Sequence, residues 1–155
     1  MRKKVEFKKW HLILVVAIIV LSIGGRFYAA WWPKGEVKIA GQSVKVLIAD
    51  TDKHRFRGWS KEKDMGNYGG MLFVYPVTGQ HAMVMRDMNF ALDIVWLDGL
   101  AIVDMAPNLP PEPGYSEAQL TPYFSRLPSN LVLELPAGFI EKNGLKIGDK
   151  VEIIK

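Results

Sequence analysis

The 155-residue sequence contains no cysteine, and this absence excludes several classes of protein. A chain without thiols has no disulfide, no thiolate metal site, no cysteine nucleophile and no lipid-modified N-terminal cysteine. The sequence also lacks a phosphate-cradling glycine loop, HExxH, GxSxG, an EF-hand loop and GxGxxG after a strand. We therefore expect no cofactor, no metal and no assigned catalytic residue.

Positive charge is scarce in the body of the chain, although the whole sequence has a net charge of +4. Residues 1–35 carry seven Lys or Arg against one acid, a balance of +6. The remaining residues carry 13 bases and 15 acids, a balance of −2. A slightly acidic body without a basic stripe does not suit a phosphate backbone, so we expect no nucleic acid among the partners.

Histidine is also rare, with three in the chain, one of which is His11 near the N-terminus. The other two, His54 and His81, have no short spacing of the kind that metal ligands show. We interpret His54 as a surface residue and His81 as a polar residue at the start of a strand.

The N-terminal segment combines basic residues with the uncharged run LILVVAIIVLSIGG, residues 12–25. Fourteen residues suit the core of a signal peptide, whereas flanking Trp10, Trp31 and Trp32 resemble the aromatic belt of a spanning helix. Residues 1–32 are therefore either a signal-anchor, which we favour and which would contact the lipid bilayer through residues 10–32, or a cleaved signal peptide of a secreted protein. Both alternatives predict one extracytoplasmic domain, residues 36–155, because the positive N-terminus stays inside the cytoplasmic membrane.

The body alternates short apolar runs with turn residues, which indicates strands. EVKIAGQSVKVLIADT predicts a hairpin, and Asp50 or Thr51 then caps a short helix over residues 52–57 that ends at Gly58. Six of the nine prolines lie between residues 107 and 128, which predicts a long surface loop.

Further strands are expected in five segments, and a second short helix is expected in AGFIEKN. The five segments are MLFVYP, which Pro76 should stop, residues 81–85, residues 92–97, LAIVDMAP and NLVLELP, with KVEII as the closing strand. These elements predict a mainly β (or α+β) fold. We expect a compact bent sheet or small partly closed barrel with two short helices, preceded by one apolar N-terminal helix.

The segment HAMVMRDMNFALDIVWLDG, residues 81–99, places charges among apolar residues. Strand alternation in LDIVWL puts Asp93 on the same face as Val95 and Leu97, so its carboxylate should be at least half buried. A buried carboxylate needs an arginine or backbone N–H donors, and Arg86, Arg55 and Arg57 are the candidate arginines. Anchoring of the fold by Asp93 is therefore favoured over catalysis.

The same segment offers material for a cleft. Arg86 could point into it, and Asp87 could stabilise the turn, while three methionines could line it: Met83, Met85 and Met88. Glu134 is either an exposed strand residue or a second carboxylate facing Asp93. Two converging carboxyl groups would support a hydrolase, with Asp93 acting together with Glu134 or His81.

The body resembles the prokaryotic domain of unknown function family 192, the uncharacterised ACR proteins. The matching pieces cover nearly all of residues 44–151: LIADTDKHRFRGWS, GGMLFVY, HAMVMRDMNFALDIVWLD, APNLPPE and VLELPAGFIEKNGLKIGDKV. The resemblance implies a single compact β-rich domain, often exported or anchored, and no established activity. Six residues fall on the most recognisable family positions: Arg55, Gly58, Met85, Arg86, Asp87 and Asp93.

We therefore expect a membrane-anchored extracytoplasmic binding module without catalysis, whose cleft holds a small polar or envelope-derived ligand. The six family positions form the hypothetical binding site, edged by the loop at residues 107–128. The alternative is an envelope hydrolase that uses Asp93 with Glu134 or His81.

Overall fold

The computed structural model describes residues 9–154, apart from the side chains of residue 23 and residues 25–30. The basic residues before Lys9 lie outside this range. The chain forms two compact units, Met1–Trp31 and Trp32–Lys155. In the first unit, helix α1 spans Lys9–Ala30. Among the described residues, no helix is both long and apolar enough to cross a membrane.

The second unit is built on an open seven-stranded mixed sheet with short helices, which confirms the mainly β class. Its strands lie in the order β5-β4-β6-β3-β2-β1-β7, and all neighbours are antiparallel except β2 and β3. The elements are β1 Lys34–Ile39, β2 Gln42–Ala49, α2 Asp52–Arg57, β3 Gly70–Gly79, β4 Leu92–Asp98, β5 Ala101–Leu109, β6 Ser129–Pro136, α3 Phe139–Asn143 and β7 Glu152–Ile154.

The two faces of this sheet pack against different parts of the chain. Asp93 pairs with Leu135 across β4 and β6, so both side chains lie on one face, which we call the Asp93 face. Its apolar residues pack with Ile140 of α3. Glu134 pairs with Ile94 and with Met71 of β3 on the opposite face, the Glu134 face. That face is covered by a methionine-rich cluster with Trp59, and it carries the candidate site.

The hairpin and the first short helix form where the sequence predicts them. β1 and β2 pair from Lys34 to Leu47 around the turn at residues 40–41. The Thr51 hydroxyl accepts a hydrogen bond from the His54 N–H at 3.2 Å, which caps α2 as expected. Gly58 donates its N–H to the His54 carbonyl at 2.9 Å and ends the helix. Its φ of +47° lies in a region that favours glycine over other residues.

Two predicted strand ends and one predicted strand differ from the structure. β3 does not stop at Pro76 but continues to Gly79, because its pairing with β6 shifts register between Val74 and Gly79. The missing proline N–H is therefore not needed for a ladder hydrogen bond. Residues 81–85 form no strand, because Met83 makes a single isolated bridge to Tyr123. The loop expected from residue 107 begins later, since β5 runs to Leu109, and it contains a short 3-10 helix at Glu117–Gln119.

Candidate functional site

A cavity of about 270 Å³ lies on the Glu134 face, beside α2 and the segment that precedes β4. Buried apolar side chains form part of its wall, among them Phe73, Met83 and Met88. Charged and polar side chains from four separate segments complete the lining: Arg55 and Arg57 of α2, Trp59 and Ser60 after it, Tyr75 of β3, Arg86, and Glu134 of β6. The cavity thus combines an apolar wall with a few convergent polar groups, which is typical of small-molecule sites.

Glu134 lies in the lining on the central strand β6, with only 5 % of the residue exposed. Its pairing partners on the adjacent strands, Met71 and Ile94, are apolar. Burial raises the pKa of Glu134 to about 8, and the group is therefore a neutral acid at pH 7. Its Oε2 has no hydrogen-bond partner among the described residues.

Trp59 brings a second unpartnered polar atom to the same cavity. It follows Gly58 directly at the end of α2, and its ring packs edge-on against Phe90 with the centroids 6.3 Å apart. The buried Nε1–H has no acceptor within the described part of the chain. Trp96 also has an unpartnered Nε1 but does not line the cavity, so Glu134 and Trp59 are the pair that shares it.

Tyr75 lies in the cavity lining near Glu134. Burial, together with the nearby Glu134, raises the pKa of Tyr75 to about 12, and the phenol stays protonated at neutral pH. Its hydroxyl donates to the Met83 sulfur at 3.5 Å, and its ring stacks on His81 with the centroids 3.6 Å apart. The Arg55 guanidinium lies 5.4 Å from the centre of the same ring.

Three arginines give the lining its positive charge. Arg55 donates to the Val74 carbonyl at 2.6 Å and to Asp52 at 2.5 Å, while Arg57 donates to Glu62 at 2.8 Å. These carboxylates are exposed or half-exposed and are not part of the cavity lining.

Arg86, the third arginine, ties the cavity to the proline-rich loop. It donates to both carboxylate oxygens of Glu117, from Nε at 2.6 Å and from one terminal nitrogen, and to the Phe56 carbonyl at 2.8 Å. The bonds with Glu117 raise the pKa of Arg86 and lower that of Glu117. The guanidinium also lies 4.1 Å from the centre of the Phe56 ring. The expected position of the loop at the edge of the cleft thus matches the Arg86–Glu117 pair.

The structure brings three of the six predicted site residues to the cavity and leaves three outside. Arg55, Gly58 and Arg86 line it. Met85 is buried in the methionine-rich cluster without being part of the lining. Asp87 is a turn residue with φ +50°, and its carboxylate lies 3.7 Å from the Lys61 ammonium group.

Asp93, the sixth residue, is completely buried and bound by backbone amides rather than by an arginine. Its Oδ1 accepts from the N–H groups of Asn108 at 2.8 Å and Gly138 at 3.1 Å, and its Oδ2 accepts from Ile140 at 2.7 Å. Gly138 is the N-cap of α3 and has no side chain, so the Asp93 carboxylate supplies the cap from β4. The expectation of a buried acid with backbone donors is therefore met, and Asp93 fixes α3.

Glu134 and Asp93 do not converge. They lie on opposite faces of the sheet, because adjacent residues Ile94 and Asp93 pair with Glu134 and Leu135 respectively. The sequence suggested that Glu134 is either exposed or faces Asp93. Both alternatives are wrong, because Glu134 is buried on the other face of the sheet. His81 lies beside Tyr75, where its Nε2 is 2.9 Å from the Val77 carbonyl.

The sequence interpretation of two other features also needs correction. His54 is not a surface residue: it is 7 % exposed and stacks on Trp32 with the ring centroids 4.2 Å apart. Trp59, Tyr75 and Glu117 were missed as site residues, because no local motif marks them and only the tertiary fold brings them together. Across residues 9–154, no group of three or more His, Asp or Glu side chains is placed to hold a metal ion.

The fold and cavity define a small β-sheet domain with a candidate site on one face of its sheet. A profile of the family DUF192, described as uncharacterised ACR, matches residues 35–153. The chain belongs to this family, as the sequence resemblance predicted. None of the curated proteins compared with the chain matches it.

Two solved structures share the fold. A provisionally described transcription regulator from Sinorhizobium meliloti 1021 has a TM-score of 0.68 and 27% identity, over 79% of this chain and 95% of that chain. A protein of unknown function from Novosphingobium aromaticivorans DSM 12444 has a TM-score of 0.64 and 24% identity, over 78% of this chain and 84% of that chain. The second likeness concerns the fold alone.

Proposed function

We propose that this protein is a non-catalytic binding module that holds a small polar ligand in the cavity on the Glu134 face. The observation that carries the proposal is that Glu134 and Trp59, which carry the buried, unpartnered polar atoms Oε2 and Nε1, both line one cavity. Buried polar groups in native proteins are nearly always hydrogen-bonded, and an unsatisfied one costs about 1–3 kcal/mol. A ligand that bonds both atoms would remove this cost.

Binding is favoured over hydrolysis by the arrangement of the acids. A glycosidase-like mechanism needs two carboxyl groups about 5–10 Å apart on the same side of the substrate. Asp93 faces away from the cavity and is held by three amides, which leaves Glu134 as the acid in the lining. A single neutral acid serves well as a hydrogen-bonding group for a bound molecule.

The location that we propose for this module is the outer side of the cytoplasmic membrane, where the ligand would derive from the cell envelope. Support comes from the sequence, in which the basic residues before the uncharged run at residues 12–25 predict an inside N-terminus. The alternative of a secreted protein places the cavity in the same compartment.

A thermal-shift screen of the full chain against envelope sugars, small organic acids and inorganic anions tests the proposal. We expect at least one compound to raise the unfolding temperature, because a ligand that binds only the folded state stabilises it. Trp59→Phe removes the indole N–H at the cavity and should reduce that shift. Trp96→Phe is the matched control, because it removes a buried, unpartnered N–H outside the cavity. A panel without any shift, or an unchanged shift in Trp59→Phe, would overturn the proposal.

A further inference from the structure

We propose that the cavity selects a small organic carboxylate with an apolar body, whose anionic end faces the three arginines and whose uncharged polar end reaches Glu134 and Trp59. This inference rests on the proposed function and adds the chemical class of the ligand. It follows from the distribution of charge, polarity and burial along the lining.

The outer part of the lining carries the positive charge. The side chains of Arg55, Arg57 and Arg86 are 15%, 51% and 21% exposed, whereas Glu134 and Trp59 are nearly inaccessible. A ligand that enters from solvent therefore meets guanidinium groups before it meets the acid. Guanidinium is well suited to bind a carboxylate through two parallel hydrogen bonds.

The carboxylates that now pair with these arginines are replaceable. Asp52 is fully exposed and Glu62 and Glu117 are 45% and 63% exposed, and none of the three lines the cavity. Because each of these three carboxylates is itself exposed, it can turn to solvent when a ligand carboxylate takes the same arginine donors. The acid that does line the cavity, Glu134, is uncharged at pH 7, which leaves the lining positive.

The inner part of the lining suits an uncharged hydrogen-bonding group. Trp59 offers one N–H donor, and protonated Glu134 offers an O–H donor and an acceptor oxygen. A hydroxyl or a carbonyl can bond both residues without bringing charge into a buried place. Between the two ends, Phe73, Met83 and Met88 provide apolar contacts for the body of the ligand.

The charge state of Glu134 makes carboxylate binding dependent on pH. The groups around it are Tyr75 on β3, which stays neutral below about pH 12, Arg55 on α2, and the apolar Met71 and Ile94 on the adjacent strands. As the pH rises through about 8, Glu134 loses its proton and with it the O–H donor. The new negative charge also repels an anionic ligand, so carboxylate affinity should fall in this range.

Calorimetric titration of the full chain with a matched pair of probes tests the inference. The probes are 4-(hydroxymethyl)benzoate and 4-(hydroxymethyl)benzamide, which share shape and inner hydroxyl but differ in charge. At pH 6.5 we expect the carboxylate to bind about tenfold more tightly than the amide, because a hydrogen bond between two charged groups is stronger than one to a neutral group. Between pH 6.5 and 9.5 the carboxylate should lose about tenfold in affinity, and the amide much less.

Three variants assign the effect to residues. Arg57→Gln should weaken carboxylate binding about tenfold and leave amide binding nearly unchanged. Lys146→Gln is the control, because it removes one positive charge from an exposed position outside the cavity. Glu134→Gln keeps an uncharged hydrogen-bonding group and should abolish the pH dependence of carboxylate binding.

The outcomes separate this inference from the proposed function. If the amide binds as tightly as the carboxylate, the inference is overturned while the proposed function stands. If neither probe binds but a neutral sugar of the thermal-shift panel does, the inference is likewise overturned and the proposed function stands. If neither probe binds and the whole panel gives no shift, both are overturned. Carboxylate binding that keeps its pH dependence in Glu134→Gln would also contradict the inference.

Discussion

The carboxylate of Asp93 on β4 binds two other backbone segments at one buried point, namely β5 at Asn108 and the start of α3 at Gly138 and Ile140. Asp93→Asn would retain one acceptor oxygen and place an NH₂ group against amide donors. We expect this substitution to lower the free energy of unfolding by about 2–4 kcal/mol, because buried donors are left unpaired and a charge-assisted cap is lost. Urea denaturation of the full chain at pH 7 measures the difference.

The control for this substitution lies on the same strand. Asp98→Asn makes the same chemical change at the exposed end of β4, where it should leave the urea midpoint nearly unchanged. Equal midpoints for the two variants would show that Asp93 does not anchor α3.

Glu134 gives a second prediction for a single residue, and here the sign depends on pH. Its pKa in the folded protein is about 8, above the value of 4.5 of an unperturbed glutamate. Between these two values the folded state holds a proton that the unfolded state has lost, so the free energy of unfolding falls as the pH rises. Glu134→Gln removes the titration, and this variant should gain roughly 4 kcal/mol relative to the unsubstituted protein between pH 5 and pH 9.

Urea midpoints at pH 5, 7 and 9 test the titration. Glu141→Gln is the matched control, since Glu141 is an exposed residue of α3. The gain should be absent in the control. A Glu134→Gln variant whose pH profile is parallel to that of the unsubstituted protein would contradict the buried neutral acid.

At the scale of elements, the contact between β3 and β6 holds Glu134 in place. A Cβ added at Gly70, the first residue of β3, would lie 2.5 Å from the backbone oxygen of Glu134. That atom belongs to a central strand and cannot move without separating the two strands. Gly70→Ala should therefore lower the free energy of unfolding by about 2 kcal/mol or more.

Gly79, at the other end of β3, provides the matched control. A Cβ there would meet only the His81 ring at 3.8 Å, which is ordinary van der Waals contact. Gly79→Ala should be tolerated or slightly stabilising, because alanine reduces the freedom of the unfolded chain. Thermal unfolding of both variants measures the contrast, and equal losses at the two positions would rule out the steric explanation.

The elements also show which part of the fold the sequence could predict. The hairpin of β1 and β2, α2 with its Thr51 cap, and β4 follow from local periodicity and turn chemistry, and all three form as expected. The strand expected at residues 81–85 does not form, because alternating methionines indicate burial but not the presence of a pairing strand. Burial of Asp93 was predictable because alternation along a strand fixes the face on which a side chain lies. Its hydrogen-bond partners were not predictable, because they come from distant segments of the chain.

The site was harder to predict than the fold. Arg55, Gly58 and Arg86 could be chosen because they are charged or conformationally special residues within the recognisable family pattern. Glu134 was assigned an orientation toward Asp93 or solvent, because its facing depends on the register of β6 with β3 and β4. The Arg86 contact with Glu117 spans 31 residues of sequence, and no local pattern specifies it.

At the scale of the whole molecule, charge is divided unevenly between the two ends of the chain. Residues 1–35 carry a balance of +6, and the rest of the sequence, which contains the cavity, carries −2. We propose that the basic residues before the uncharged run keep the N-terminus on the cytoplasmic side and direct the following domain outward. The proposed origin of the ligand in the cell envelope depends on this orientation.

Reporter fusions at the C-terminus test this orientation directly. Alkaline phosphatase is active only outside the cytoplasm. Green fluorescent protein becomes fluorescent in the cytoplasm but not after export in unfolded form. In a Gram-negative host we expect the full chain to give high phosphatase activity and low fluorescence, because the positive N-terminus is retained. A fusion that begins at Trp32 with an added start codon omits the basic segment, and it should reverse both readings. High fluorescence from the full-length fusion would place the domain inside the cell and exclude an envelope-derived ligand, while the binding experiments would still decide whether the cavity takes a carboxylate.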